Sequence, residues 1–195
     1  MKTVSSFRKM ILVIPGAVLF YLLQVCVMDY FAVFQVTGNI IWAYLAVVIV
    51  SCGMKSAVCA AAIVAMLMES MLSSVNGLYV LCYTILPFAW GYVFADMSDR
   101  RRERKASLHP EGRQGDLPAL VRIALASACM TLSMNAVHLV YASLNGIPMT
   151  FGHFGRAFFS VLYSTGLALL LMTPLRAFLG MYRQTARSVR GGEMF

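Results

Sequence analysis

Long apolar blocks, interrupted by short polar breaks, run almost the full length of this chain. Six of them approach the ~20 residues that a helix needs to cross the hydrocarbon core of a bilayer. They lie at about 10–28, 31–52, 56–75, 78–97, 118–143 and 157–179. The blocks are continuously apolar and do not alternate with a period of two, which predicts helices and argues against barrel strands of about ten residues. In lipid every backbone group must be paired within its own segment, which again favours helices over open sheets. The breaks are informative. Asp29 marks a short turn, and Asn76-Gly77 joins the third and fourth blocks into a tight helical hairpin. Gly146–Gly155 is the only sizeable outer loop. Gly38-Asn39 blurs the start of the second block, whose centre is Ile40–Val50. Pro118 stands at the head of the fifth, where a missing N–H does no harm.

Composition strengthens this picture. The chain of 195 residues is 60% hydrophobic and only 12% charged, with a mean hydropathy of +0.75. A soluble domain carries about twice that charge. The expectation is an all-α integral membrane protein, a single polytopic domain over 1–195 with six transmembrane helices in one bundle. The net charge of +8 then reads as topology. With the N-terminus inside, fifteen of the sixteen Lys and Arg residues fall in cytoplasmic segments, and Arg156 alone falls outside. The positive-inside rule therefore predicts an even number of spans and two cytoplasmic termini. Most of the charge sits in the loop 98–117, where Arg100, Arg101, Arg102, Arg104 and Lys105 form a basic patch, and the tail 181–195 is basic as well. The patch serves either as an orientation signal or as a surface for anionic lipid or a protein partner, each basic residue near an anionic leaflet contributing about 1 kcal/mol. Without interleaved aromatics or a recognition fold it does not point to nucleic acid. Leu23-Gln24-Val25-Cys26 lacks the small residues of a lipoprotein cleavage box, and no A-x-A-like site follows the first apolar block, so an uncleaved first helix is expected. The five cysteines are scattered through apolar blocks without C-x-x-C spacing and read as small hydrophobes.

Candidate chemistry begins with Glu69. A charged group deep in the membrane costs roughly 2.5–3.5 kcal/mol on insertion scales and normally faces protein or water. At ~1.5 Å per residue, Glu69 lies about 21 Å from Lys55 along its helix. Ala57, Ala61 and Ala65 precede it at successive i+4 steps, which predicts a close helix-packing or partner face leading to Glu69. Counting from basic anchors places Gln24, Asn135 and Ser164 at a similar depth. Ser127, Thr131, Asn135 and His138 share one stripe of the fifth helix. Together Gln24, Asn135, His138 and Ser164 predict an intramembrane polar layer. Three uses are open for it: glue between helices, a docking surface for a partner helix, or the lining of a substrate or proton site. Transporters with midplane sites show paired Gly or Pro interruptions, whereas Pro15, Pro87 and Pro174 stand alone and no internal repeat is evident. The chain has no Walker loop, no G-x-S-x-G and no H-E-x-x-H. No enzymatic activity, metal or cofactor is expected.

The hairpin carries a resemblance. Gly38-Asn39 opens the second span, Lys55 occupies the following turn, and a small-residue helix ends in Glu69. Gly77 follows eight residues later, and Leu78–Phe94 runs into the charged Asp99–Lys105. Between about Val36 and Lys105 this resembles MreD, the small membrane subunit of the bacterial rod-shape (elongation) complex. Two positions depart from that pattern: Gly38 stands where the family has Pro, and Glu69 where it has Asp. The resemblance implies a fold similar to the membrane substrate-binding subunits of energy-coupling-factor vitamin transporters, and no catalytic activity. It also implies residence in the bacterial cell membrane and binding to an MreC-like single-span protein. Through that partner it implies links to RodA-type and penicillin-binding-protein-type synthases and to MreB. The alternative is a substrate-binding subunit of an energy-coupling-factor type vitamin transporter, with the polar layer lining a vitamin-sized pocket.

Overall fold

The computed structural model describes residues 6–33, 36–71, 77–94 and 118–178. These residues are all-helical, without a named strand. The six helices are α1 (Ser6–Cys26), α2 (Ile40–Cys52), α3 (Met54–Met71), α4 (Leu78–Phe94), α5 (Ala119–Leu144) and α6 (Phe151–Phe178), with a 3-10 turn at Met28–Phe31. Three are long and apolar enough to cross a membrane: α3, α5 and α6. They mark the chain as a membrane protein. The apolar parts of α1, α2 and α4 are shorter.

The centre of the bundle is α2, not the α3–α4 hairpin. Every residue from Ile40 to Val50 is buried, and α2 packs against α1, α3, α4, α5 and α6. A helix apolar on all sides belongs in the middle of a bundle, because it has no face to give to water. Two aromatic pairs hold it. Trp42 stacks on Tyr83 of α4 with centroids 4.3 Å apart, and Tyr44 stacks on Phe20 of α1 at 4.7 Å. The Tyr44 hydroxyl donates to the carbonyl of Val13 at 2.6 Å. It fits there because Gly16 has no Cβ: one built at Gly16 would lie 2.7 Å from that hydroxyl oxygen.

The second apolar block is not one helix. The sequence pattern predicts a span over 31–52, yet the helix begins only at Ile40 and has 13 residues, about 20 Å of rise. Ahead of it Asn39 is extended, and Val33 and Val36 exchange both backbone hydrogen bonds, at 2.9 and 3.0 Å. The cause is Gly38-Asn39. Asn39 turns its side chain back to accept from Trp42 N, as an N-cap does. Gly38 passes so close to α6 that an added Cβ would meet Leu167 Cδ1 at 2.7 Å and Tyr163 Cδ1 at 2.9 Å.

The last helix is longer than the expected 157–179, and the expected loop Gly146–Gly155 is correspondingly short. Helix α6 starts at Phe151 because Thr150 and His153 cap each other. Thr150 N donates to His153 Nδ1 at 3.3 Å, the Thr150 hydroxyl lies 2.8 Å from the same nitrogen, and His153 N donates to Thr150 O. Only one arm of a capping box is made, with histidine where glutamate or glutamine is usual: its ring accepts from Thr150 N, while His153 N bonds to the Thr150 carbonyl and not to the hydroxyl. At the other helices the differences are small. α1 begins earlier than 10 and ends at Cys26, and α3 begins at Met54 instead of 56; the expected ends 72–75 of the third span and 95–97 of the fourth lie outside the described residues. α5 follows Pro118 as expected and ends at Leu144.

Large apolar side chains stand exposed around the outside: Ile11, Leu19 and Leu22 on α1, Leu81, Ile85 and Phe88 on α4, Leu132 on α5, and Phe158, Leu162 and Leu170 on α6. A soluble monomer rarely carries apolar exposure on this scale. A bilayer solvates it.

Candidate functional site

Glu69 lies in the last turn of α3. Its Oε1 accepts a hydrogen bond from Gly77 N, and Gly77 O in turn accepts from Leu81 N at 3.0 Å, so the carboxylate closes the head of α4. Unpaired N–H groups and the positive end of the helix dipole gather at such a start, and a carboxylate satisfies both. Gly77 adopts φ +88, a left-handed conformation that glycine takes without strain. The i, i+8 spacing of Glu69 and Gly77 is thus a contact that clamps the hairpin. The other oxygen, Oε2, is buried without a hydrogen-bond partner among the described residues.

The alanines behave as helix-packing residues. Ala57, Ala61 and Ala65 are fully buried, with Ala60, Val64 and Met68 beside them. Helix α3 spends this face on α1, α2 and α4. It is therefore not an open partner surface.

The expected polar layer divides into separate contacts. Gln24 and Ser164 meet at the start of α2: Gln24 Oε1 accepts from Ile40 N at 2.8 Å, and Ser164 Oγ accepts from Asn39 N at 2.9 Å. Ser127 Oγ donates to Ser164 O at 3.3 Å. Asn135 Nδ2 donates to Ala157 O at 3.1 Å and ties α5 to α6. His138 is half-buried, its ring 6.0 Å from that of Tyr79. Glu69 hydrogen-bonds to none of these four. The depth estimate grouped residues that serve different joints, because rise along a helix gives height but not azimuth.

One cleft accompanies this arrangement. It has a volume of about 270 Å³ and lies where Val36 and Thr37, ahead of α2, meet α5 and α6. Asn135 and His138 line it from α5, and His153, Arg156 and Ser160 from α6. His153 and Arg156 stand three residues apart in the first two turns of α6. What the pattern of residues did not disclose was their proximity to Thr37. That proximity depends on the second block breaking at Gly38-Asn39.

The basic patch Arg100, Arg101, Arg102, Arg104 and Lys105, the turn residue Asn76 and the tail 181–195 lie outside the described residues. No group of three or more His, Cys, Asp or Glu placed to hold a metal ion occurs among the described residues. All five cysteines are free thiols, from buried Cys82 to exposed Cys26. No family model, curated protein or solved structure matches the chain.

Proposed function

We propose that this protein is a non-enzymatic membrane scaffold of the bacterial cell-elongation complex, similar to MreD. In this reading it is a multi-pass protein of the cell membrane whose six helices all cross, with both termini in the cytoplasm. It regulates cell shape and peptidoglycan synthesis by binding an MreC-like single-span protein, and through it RodA-type and penicillin-binding-protein-type synthases and MreB. The observation that carries the reading is how the interior polar side chains are used. Gln24, Ser164, Asn135 and Glu69 each bond to a backbone group of another segment. Groups committed to holding backbone are structural, whereas an active site needs side chains whose bonding capacity is turned toward a substrate. The Glu69–Gly77 clamp also gives a physical role to two of the positions that carry the family resemblance. Affinity purification from membranes is expected to recover an MreC-like protein. Recovery of only the ATPase and coupling subunits of a transporter would overturn the proposal. The topology is checked separately, by labelling single cysteines placed at Ser107 and Pro148 in a cysteine-free background. Labelling from outside is expected at Pro148 only.

The alternative, a substrate-binding subunit of a vitamin transporter, draws on the cleft beside Thr37. At about 270 Å³ the cleft falls just below the range of about 300–1,000 Å³ that encloses a drug-sized ligand. That volume favours the scaffold.

A further inference from the structure

We infer that the turn Met28–Phe31 between α1 and α2 is an interfacial anchor, with Tyr30 and Phe31 seated in the lipid headgroup layer where α2 begins. Backbone and side chains of this turn are treated in opposite ways. The backbone is tied to the bundle. Met28 is buried, Tyr30 N donates to Val27 O at 3.1 Å, and Phe31 O accepts from the Tyr163 hydroxyl of α6 at 2.9 Å. The side chains that follow Met28 are left outside. Tyr30 is 88% exposed, Phe31 60% and the neighbouring Val33 52%. An aromatic pair held outward on a fixed turn adds nothing to the core, and contiguous exposed apolar surface marks an interaction site.

Depth and continuity identify the partner as lipid. Lys9 is the last charged residue before the first apolar block. At ~1.5 Å per residue, a hydrocarbon core of about 30 Å ends roughly twenty residues further on, at Asp29. Asp29 is itself exposed. Irregular backbone facing lipid does not occur inside the hydrocarbon, so a 3-10 turn running into extended Ala32 belongs at its edge. The turn also follows directly on a lipid-facing stripe, since Leu19, Leu22 and Val25 stand exposed on α1 at helical spacing. Tyrosine suits that edge, with an apolar ring and a hydroxyl that stays wet. A soluble partner could cover the same pair, but it would have to end where the lipid-covered stripe begins. An anionic leaflet would repel the Asp29 carboxylate, so the fit is to headgroups without net charge. The inference holds for either orientation of the bundle and does not rest on the scaffold reading.

The test uses the full chain in a cysteine-free background, reconstituted into phosphatidylcholine vesicles. A nitroxide is attached at Tyr30→Cys, with Leu22→Cys on the lipid-facing stripe and Pro148→Cys in the exposed loop as references. Electron paramagnetic resonance then reads collisions with oxygen and with a water-soluble nickel chelate. At position 30 the chelate accessibility is expected at least three-fold below that at 148, with an oxygen-to-nickel ratio between the two references. A second nitroxide at Val33→Cys reports on anchoring. There Tyr30→Ser combined with Phe31→Ser is expected to raise chelate accessibility at least two-fold, and melting in detergent shows that the bundle of this variant is intact. A position 30 as open to the chelate as 148 overturns the proposal and leaves the pair for a soluble partner. Spin–spin broadening at position 30 overturns it too, by assigning the pair to a second copy of the chain. So does an oxygen-to-nickel ratio equal to that at Leu22, or a Val33 signal unmoved by the double substitution in a folded protein.

Discussion

Glu69 acts over one hydrogen bond, and its neighbours decide what that bond is worth. A hydrogen bond to a charged group contributes about 1.5–3 kcal/mol, and a side-chain cap about 0.5–2. Glu69→Gln keeps a carbonyl oxygen for Gly77 N and is expected to lower stability by less than about 1 kcal/mol, whereas Glu69→Leu removes the acceptor and should cost about 1–3 kcal/mol. Thermal unfolding of the detergent-solubilised protein separates the two. Equal and complete loss in both variants would instead show that the charge itself matters. Gly38 makes the second residue-scale case. Its Cβ position is occupied by Leu167 and Tyr163, so Gly38→Ala must push side chains of α6 aside, at about 1–3 kcal/mol as for other overpacked sites. Tyr163 has little room to yield, since its hydroxyl donates to Phe31 O at 2.9 Å. A Gly38→Ala protein that melts with the wild type would refute this close approach.

At the scale of elements, the unusual part is a helix start inside the bundle. Irregular backbone at membrane depth survives only where protein or water satisfies it, and here the partners are Asn39, Gln24 and Ser164. Gln24→Leu and Ser164→Ala each strip the acceptor from one backbone N–H, at an expected cost of about 1–3 kcal/mol. Hydrogen exchange should find the amides of Ile40 and Asn39 respectively losing protection before the rest of α2. Uniform loss across the helix would argue against a local cap. The elements were largely legible from the apolar blocks, and α3, α4 and α5 fall close to their expected positions. The two real departures have a common cause. Side chains remote in sequence, or of unexpected type, created helix ends that hydrophobic spacing does not register. Thr150 with His153 lacks the usual acid of a capping box. Asn39 looked like a blurred boundary because Gln24 and Ser164, which complete its cap, lie in other helices. Gln24, Asn135 and Ser164 were recognisable as interior polar residues, but which backbone group each one meets was not.

Over the whole molecule, the apolar belt on α1, α4, α5 and α6 should behave as lipid-facing surface. Leu162 is half-exposed near the middle of α6, so Leu162→Arg is expected to impair insertion by roughly 2.5–3.5 kcal/mol. The same change at Leu144, exposed at the end of α5, should cost much less, because a long cationic side chain there reaches the interface. Glycosylation-based insertion assays compare the two, and equal effects would contradict the assignment. Fifteen of the sixteen basic residues fit one orientation. The exception, Arg156, lines the cleft.

The cap on α2 also has a consequence in time. Asn39 N waits for Ser164 Oγ, 125 residues further along the chain. At a synthesis rate of about 5–20 residues per second, roughly 6–25 s separate the emergence of the two. Throughout that interval the nascent second helix has an amide that no finished part of the chain can satisfy. The insertion machinery or water must shelter it until the final helix arrives. Ribosome stalling before Ser164 should therefore trap a form with α2 open to protease, and release should close it.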